Sequence, residues 1–181
     1  VTFALLVTVV ITRARVSILE LFAPVPRSAV HPGSVQEAAL VCLATALSGW
    51  AGFFLLGDHW YWAMVAAIAA MTGADLHARV VRGFQRFIGT LLGVIIAAGF
   101  LWIDPPVIIT LMLAIAFQGI IELIVARNYG LAMLFITTVA LLMVTMASPQ
   151  SVETIIRNRV LETTLGVAIG MAISVIAARF E

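Results

Sequence analysis

The sequence predicts an all-α integral membrane protein: a six-helix transmembrane bundle built from two inverted three-helix repeats, preceded by a partial N-terminal apolar segment. Two observations carry this. Hydrophobic residues make up 63% of the chain and charged residues 10%, with a mean hydropathy of +1.15, whereas a soluble domain carries roughly 25% charged residues. The second is a repeat. Arg86 to Ala97 reads Arg-Phe-Ile-Gly-Thr-Leu-Leu-Gly-Val-Ile-Ile-Ala, and Arg159 to Gly170 reads Arg-Val-Leu-Glu-Thr-Thr-Leu-Gly-Val-Ala-Ile-Gly.

In order along the chain, Val1 to Thr12 is apolar and is followed at once by Arg13 and Arg15. It falls short of the roughly 20 residues a spanning helix needs, and its charge follows the apolar core where a signal peptide's would precede it. The reading is the end of a helix that starts upstream, or an interfacial segment. Residues 1–33, with Pro24, Pro26 and Pro32, form this segment and a linker, in which Val16 to Phe22 suits a short amphipathic helix. Residues 34–181 form the membrane domain. Ser34 and Glu37 have capping-box spacing, which starts the first span.

Six apolar segments follow, at Glu37 to Leu56, Trp60 to Thr72, Arg86 to Ile103, Pro106 to Val125, Tyr129 to Ala147 and Arg159 to Ala178. In hydrocarbon every backbone polar group must be bonded internally, so the choice is helices or a closed barrel; segment length and the lack of polar alternation select helices. Arg13, Arg15 and Arg27, then Arg79, Arg82 and Arg86, then Arg127, then Arg179 fall on one side, the cytoplasmic one by the excess of arginine, which places both termini inside. Asp58, His59 and Asp104 fall outside, where Trp60, Tyr61, Trp62, Phe100 and Trp102 suit an aromatic belt. Arg157 and Arg159 break the rule. An odd number of helices per repeat explains this, because the second unit, about 106–178, enters the membrane opposite to the first, about 37–103.

Within each motif an arginine, a threonine four residues on and a glycine three further share one helix face. Arg86 with Thr90 and Arg159 with Thr163 are therefore the candidate substrate contacts. A guanidinium is always charged and binds two carboxylate oxygens at once, and an arginine at bilayer depth costs about 2.5–3.5 kcal/mol on insertion scales, so it needs a cavity or a partner. The bland reading is that both snorkel to headgroups. Arg82 joins Arg79 and Arg86 on one face of a helix extending inward from about Asp75, either as a funnel for anions or as a lipid-phosphate stripe. Glu122 shares a face with Gln118 and is expected within reach of Arg82, Arg86 or Arg127, as a proton-coupling site or half of an ion pair; Glu162 has the same two readings with Arg159. Gly89, Gly93 and Ala97, like Gly166, Gly170 and Ser174, form grooves of small residues for close backbone packing, and the two helices that carry them are expected to cross at the centre of the bundle. Thr137 and Thr138 either line a route or bond their own backbone.

Cys42 stands alone, His31, His59 and His77 are scattered, and no nucleophile set, metal cluster, phosphate loop or basic block appears. The expectation is no enzyme activity, cofactor, metal or nucleic-acid partner.

The ordered set Tyr61-Trp62-Ala63, Arg86-x-x-Gly89-Thr90-x-x-Gly93, Asn128-Tyr129 before Thr137 and Thr138, and Arg159-x-x-Glu162-Thr163-x-x-Gly166 resembles the membrane domain of the fusaric acid resistance-like family, which includes bacterial aromatic acid exporters and is distantly similar to the aluminium-activated malate transporters. The resemblance implies a bundle in the bacterial inner membrane, partnered as a homodimer or with a second membrane half, that exports small organic anions such as aromatic carboxylates, proton-coupled or passively. An anion channel and a non-transporting scaffold of an envelope assembly are the alternatives.

Overall fold

The computed structural model describes residues 35–57, 60–147 and 151–178, which form six helices and no strand. The expected N-terminal segment and linker, Ser34 of the capping box, Asp58, His59 and Arg179 lie outside the described residues. The helices are α1 (Val35–Leu56), α2 (Tyr61–Met71), α3 (Leu76–Ile103), α4 (Val107–Ile124), α5 (Tyr129–Ala147) and α6 (Val152–Ala177). All but α2 are long and apolar enough to cross a membrane. The chain is an all-helical, multi-pass membrane bundle.

α2 agrees in bounds with the expected apolar run Trp60 to Thr72 but is short. Its 11 residues rise only about 16 Å, roughly half the hydrocarbon thickness. Thr72 then turns extended, and the chain passes through Gly73 and Ala74 to Asp75, which caps α3 by accepting from the Ala78 amide at 2.7 Å. Arg79 fastens this bend: its Nε donates to the Gly73 carbonyl at 3.2 Å and its Nη2 meets the Glu37 carboxylate at 3.0 Å. The crossing is thus half helix and half clamped connector, and the starts of α1 and α3 are held together. Arg79 is accounted for by this clamp. Asp75→Ala should lower thermal stability by about 1 kcal/mol, since an unpaired first turn then replaces the cap; an unchanged melting temperature would deny the cap its role.

α6 begins earlier than its apolar run suggests, and α3 begins where the helix extending inward from about Asp75 was expected. α3 starts at Leu76, so Arg86 lies roughly 15 Å along it. α6 starts at Val152, because Ser151 caps it by accepting from the Thr154 amide at 3.3 Å, and Glu153, Arg157 and Asn158 continue the helix. After α3, Asp104 adopts a left-handed conformation (φ 49°), and Pro105 and Pro106 force the reversal into α4.

Packing follows the glycines. α3 lies along α5 because a Cβ on Gly89 would meet the Gly130 carbonyl oxygen at 2.7 Å, and one on Gly93 would meet Thr137 Cβ at 2.7 Å. α6 lies along α2 in the same way: Gly166 sits against the Ala63 carbonyl, and a Cβ on Gly170 would come within 2.9 Å of the Ala67 carbonyl. The small-residue grooves therefore receive α5 and α2, while α3 and α6 also pack on each other through larger side chains. Such close approach lets dispersion and weak polar contacts hold helices where lipid leaves little hydrophobic driving force. Ala66, Val80, Phe84, Val167, Met171 and Val175 fill the junction of α2, α3 and α6, while α1 packs on α2 and α6 and α4 packs on α5.

Candidate functional site

The polar residues of α3 and α6 turn inward. Arg86 and Arg159 keep 4% and 3% of their surface, so neither reaches the headgroups, and Thr90, Thr163 and Glu162 are equally enclosed at 1% each. They are there because the face that carries them also carries the glycines that draw α5 and α2 close. Arg159 is within electrostatic reach of Arg86, Glu162 and Tyr61. Both repeat arginines thus lie in the interior.

Each arginine meets the aromatic residue that opens a neighbouring helix. Arg86 Nη1 points at the Tyr129 hydroxyl (3.4 Å) and Met133 Sδ (3.2 Å) on α5. The Arg159 guanidinium lies 3.7 Å over the Trp62 ring of α2. Arg82, half-buried, covers the other part of Tyr129, 4.1 Å from its ring centre. A desolvated cation over an aromatic face is held by roughly 2 kcal/mol, which offsets only part of the cost of its burial. Trp62 was expected in an outer aromatic belt and instead carries Arg159. The sequence signal was present, since both arginine motifs come with an aromatic helix start, but only folding pairs each arginine with the aromatic of the other half.

Much of the hydrogen-bonding capacity is unused. Nε and Nη2 of Arg86, all three nitrogens of Arg159, the hydroxyls of Thr90, Thr137 and Thr163, both polar atoms of the Gln85 side chain and Oε1 of Glu162 are buried without a partner. Folded proteins rarely leave such groups unsatisfied, at about 1–3 kcal/mol each and more for charges. Glu162 does not bond Arg159: among the described residues no ion pair joins them, so its expected neutralising contact is not formed. Thr138 does satisfy itself, donating to Leu134 O at 2.9 Å and across to Gly93 O at 3.1 Å. Gln85 is a residue that sequence reading passed over; it directly precedes Arg86 and is 1% exposed.

A small pocket with room for a water molecule lies between Trp62, Leu141, Ile155, Asn158, Arg159 and Glu162. A second, between α3 and α5, is lined by Gln85, Gly89, Gly130 and leucines. Arg86 lines neither, and no cavity of these joins it to Arg159. Both arginines are enclosed by the surrounding helices.

Gln118 and Glu122 are not part of it. Both are exposed on α4, where Gln118 Nε2 donates to Glu122 Oε1 at 2.9 Å. The expected approach of Glu122 to Arg82, Arg86 or Arg127 does not form, because the face of α4 that meets α5 is Thr110, Ala114 and Ile121. No group of three or more metal-ligating side chains occurs among the described residues.

The family model for fusaric acid resistance protein-like proteins matches residues 38–173, from the first turn of α1 to the last turns of α6. The chain belongs to this family. Over 81 residues this fusaric acid resistance-like chain is 36% identical to a protein of Bacillus subtilis (strain 168) entitled uncharacterized membrane protein YvaC, a match covering 45% of the chain and 13% of that relative. The match thus spans about an eighth of the relative's length. No solved structure matches the chain.

Proposed function

We propose that the protein moves small organic anions, aromatic carboxylates among them, out of the cytoplasm across the bacterial inner membrane, with Arg86 and Arg159 as the carboxylate contacts and Thr90 and Thr163 as supplementary donors. The observation that carries this reading is a pair of guanidinium groups sealed inside an apolar bundle with Nε and Nη2 of one and every nitrogen of the other unpartnered. Among the described residues three arginines are buried; Arg79 is paired with Glu37, and against the other two, Arg86 and Arg159, stands one buried carboxylate, Glu162, so the interior carries a surplus of positive charge and of N–H donors. A carboxylate matches both, since a guanidinium fork binds two oxygens. Arg82, stacked on Tyr129 beside Arg86, sits where it would receive the anion on its approach.

The enclosure of Arg86 and Arg159 favours alternating access over a standing pore. The packing supports an inverted repeat as the basis for that alternation: α3 lies on α5 and α6 on α2, so the third helix of each half pairs with the second helix of the other. In this arrangement Tyr129 and Trp62 are the side chains that must leave the arginines before a substrate carboxylate takes their place. Glu162, buried beside Arg159, is the carboxylate placed to carry a coupled proton, a role that the outward position of Glu122 does not suit. Glu162→Gln should therefore leave anion exchange working while removing its dependence on a proton gradient; a variant still driven by that gradient would remove Glu162 from coupling.

Counterflow of benzoate in reconstituted vesicles tests the proposal. Arg86→Gln should lower the rate at least tenfold, as loss of a charge-assisted bond of about 1.5–3 kcal/mol requires. Arg157→Gln, at an exposed position, should stay within about twofold of the parent, as surface substitutions do. Equal effects at the two sites would refute the assignment, and voltage-driven current without counterflow would indicate a channel.

A further inference from the structure

The carboxylate site leaves Gln85 without a purpose. Its side chain is 1% exposed, and both its carboxamide nitrogen and its carbonyl oxygen are buried without a partner. It lines the pocket between α3 and α5, where the backbones of Gly89 and Gly130 come together and Leu92, Leu131 and Leu134 supply apolar walls. The cavity measures about 40 Å³, room for roughly three water-sized groups. Leu92 and Leu131 remain 40% and 46% exposed, so its mouth is at the side of the bundle. Arg86, the next residue, does not line it.

A carboxamide holds an N–H and a C=O side by side in one plane. Its complement is a planar group with an acceptor and a donor side by side, and the apolar walls require that group to be uncharged. A protonated carboxyl has this form: its O–H donates to the Gln85 carbonyl, its C=O accepts from the Gln85 amide, and its three heavy atoms match the room. A carboxylate does not, because it only accepts and leaves the Gln85 carbonyl unmet. We propose that this pocket is a second binding site, which takes an organic acid in its neutral form by the carboxyl group, with Gln85 as the recognition residue. The apolar body of the ligand extends past Leu92 and Leu131. The neutral form is also the one that dissolves in hydrocarbon, where an unpaired anion is far costlier. That the occupant is an acid and not an amide rests on the proposed transport of carboxylates; the pocket and its two hydrogen bonds do not.

Benzamide is the probe, because it presents the same paired donor and acceptor as benzoic acid and does not ionise. Equilibrium binding to the protein in lipid nanodiscs, with binding to empty nanodiscs subtracted, should saturate. It should be at least tenfold tighter than binding of N,N-dimethylbenzamide, which keeps the ring and the carbonyl and lacks the N–H, since a site built on a hydrogen bond rejects the analogue without it. Gln85→Leu should weaken benzamide binding at least tenfold and melt at or above the parent temperature, because two unsatisfied buried polar atoms are removed. Arg86→Gln should bind benzamide within about twofold of the parent, as expected of a residue outside the pocket. Absence of saturable binding overturns the proposal, and so does equal binding of the dimethyl analogue, benzamide binding unchanged by Gln85→Leu, or benzamide binding lost in Arg86→Gln. The comparison of the two amides needs no variant, so it decides the matter even if Gln85→Leu does not fold. Benzoate binding at neutral pH reports on the arginine site separately, and its failure would leave the benzamide result standing.

Discussion

Replacing Arg86 by Met is expected to make the protein more stable and unable to move anions. Two buried guanidinium groups repel each other, and Arg86 has only a long contact to the Tyr129 hydroxyl and one to a methionine sulfur, 3.4 and 3.2 Å, in return. Exchanging a poorly compensated buried charge for an apolar side chain of similar length commonly stabilises by about 1–4 kcal/mol. Here the exchange also leaves Arg159 and Glu162 as one cation and one anion. Arg159→Met should behave oppositely toward stability, because Glu162 would lose its nearby cation and remain as an uncompensated buried carboxylate. Both variants should lose transport. A functional residue that weakens its own fold has the signature of a binding site. Thermal unfolding in detergent with parallel counterflow measures both quantities, and a destabilised Arg86→Met would show instead that the arginine holds the bundle together.

Gly166→Ala is expected to be the most damaging change of a single methyl group. The new Cβ would overlap the Ala63 carbonyl and stand 2.7 Å from Ala66 Cβ, and neither neighbour can rotate away, since one is backbone and the other a side chain without rotamers. α2 and α6 would have to separate, at a cost of about 3 kcal/mol or more as in other overpacked cores. They form one of the two closest helix pairs of the bundle, so the loss should reach the site through Trp62, which α2 presents to Arg159. Gly99→Ala is the matched control, since nothing lies within 4 Å of its built Cβ; it should be neutral or slightly stabilising through helix propensity. Equal melting temperatures for the two alanine variants would show that the close approach of α2 and α6 is not required.

The fold class was legible because hydrocarbon admits few structures: long apolar runs without alternation have to be helices. Family membership was legible in ordered motifs, Arg-x-x-Gly-Thr-x-x-Gly together with the Tyr-Trp and Asn-Tyr helix starts. What stayed hidden is what periodicity cannot encode in a helix that is apolar all round. α4 carries no polar stripe to say which side faces the bundle, so the shared face of Gln118 and Glu122 was readable and its outward direction was not. Trp62 looked like an interfacial aromatic because position near a helix start fits both roles; its arginine partner, like that of Tyr129, lies far away in sequence. The early start of α6 was masked by Glu153, Arg157 and Asn158, which read as loop although Ser151 before them has the spacing of an N-cap. The shortness of α2 was legible in the run from Trp60 to Thr72, whereas the clamp that Arg79 makes on the following connector was not, because its partners Gly73 and Glu37 share no motif with it.

Equilibrium binding of benzoate to the purified protein tests the central claim most directly, because it needs neither coupling nor direction of movement. The parent should bind, Arg86→Gln and Arg159→Gln should each weaken binding at least tenfold while remaining folded, and Arg157→Gln should bind as the parent does. Binding that is the same in all four proteins would contradict an anion site built from the two buried arginines.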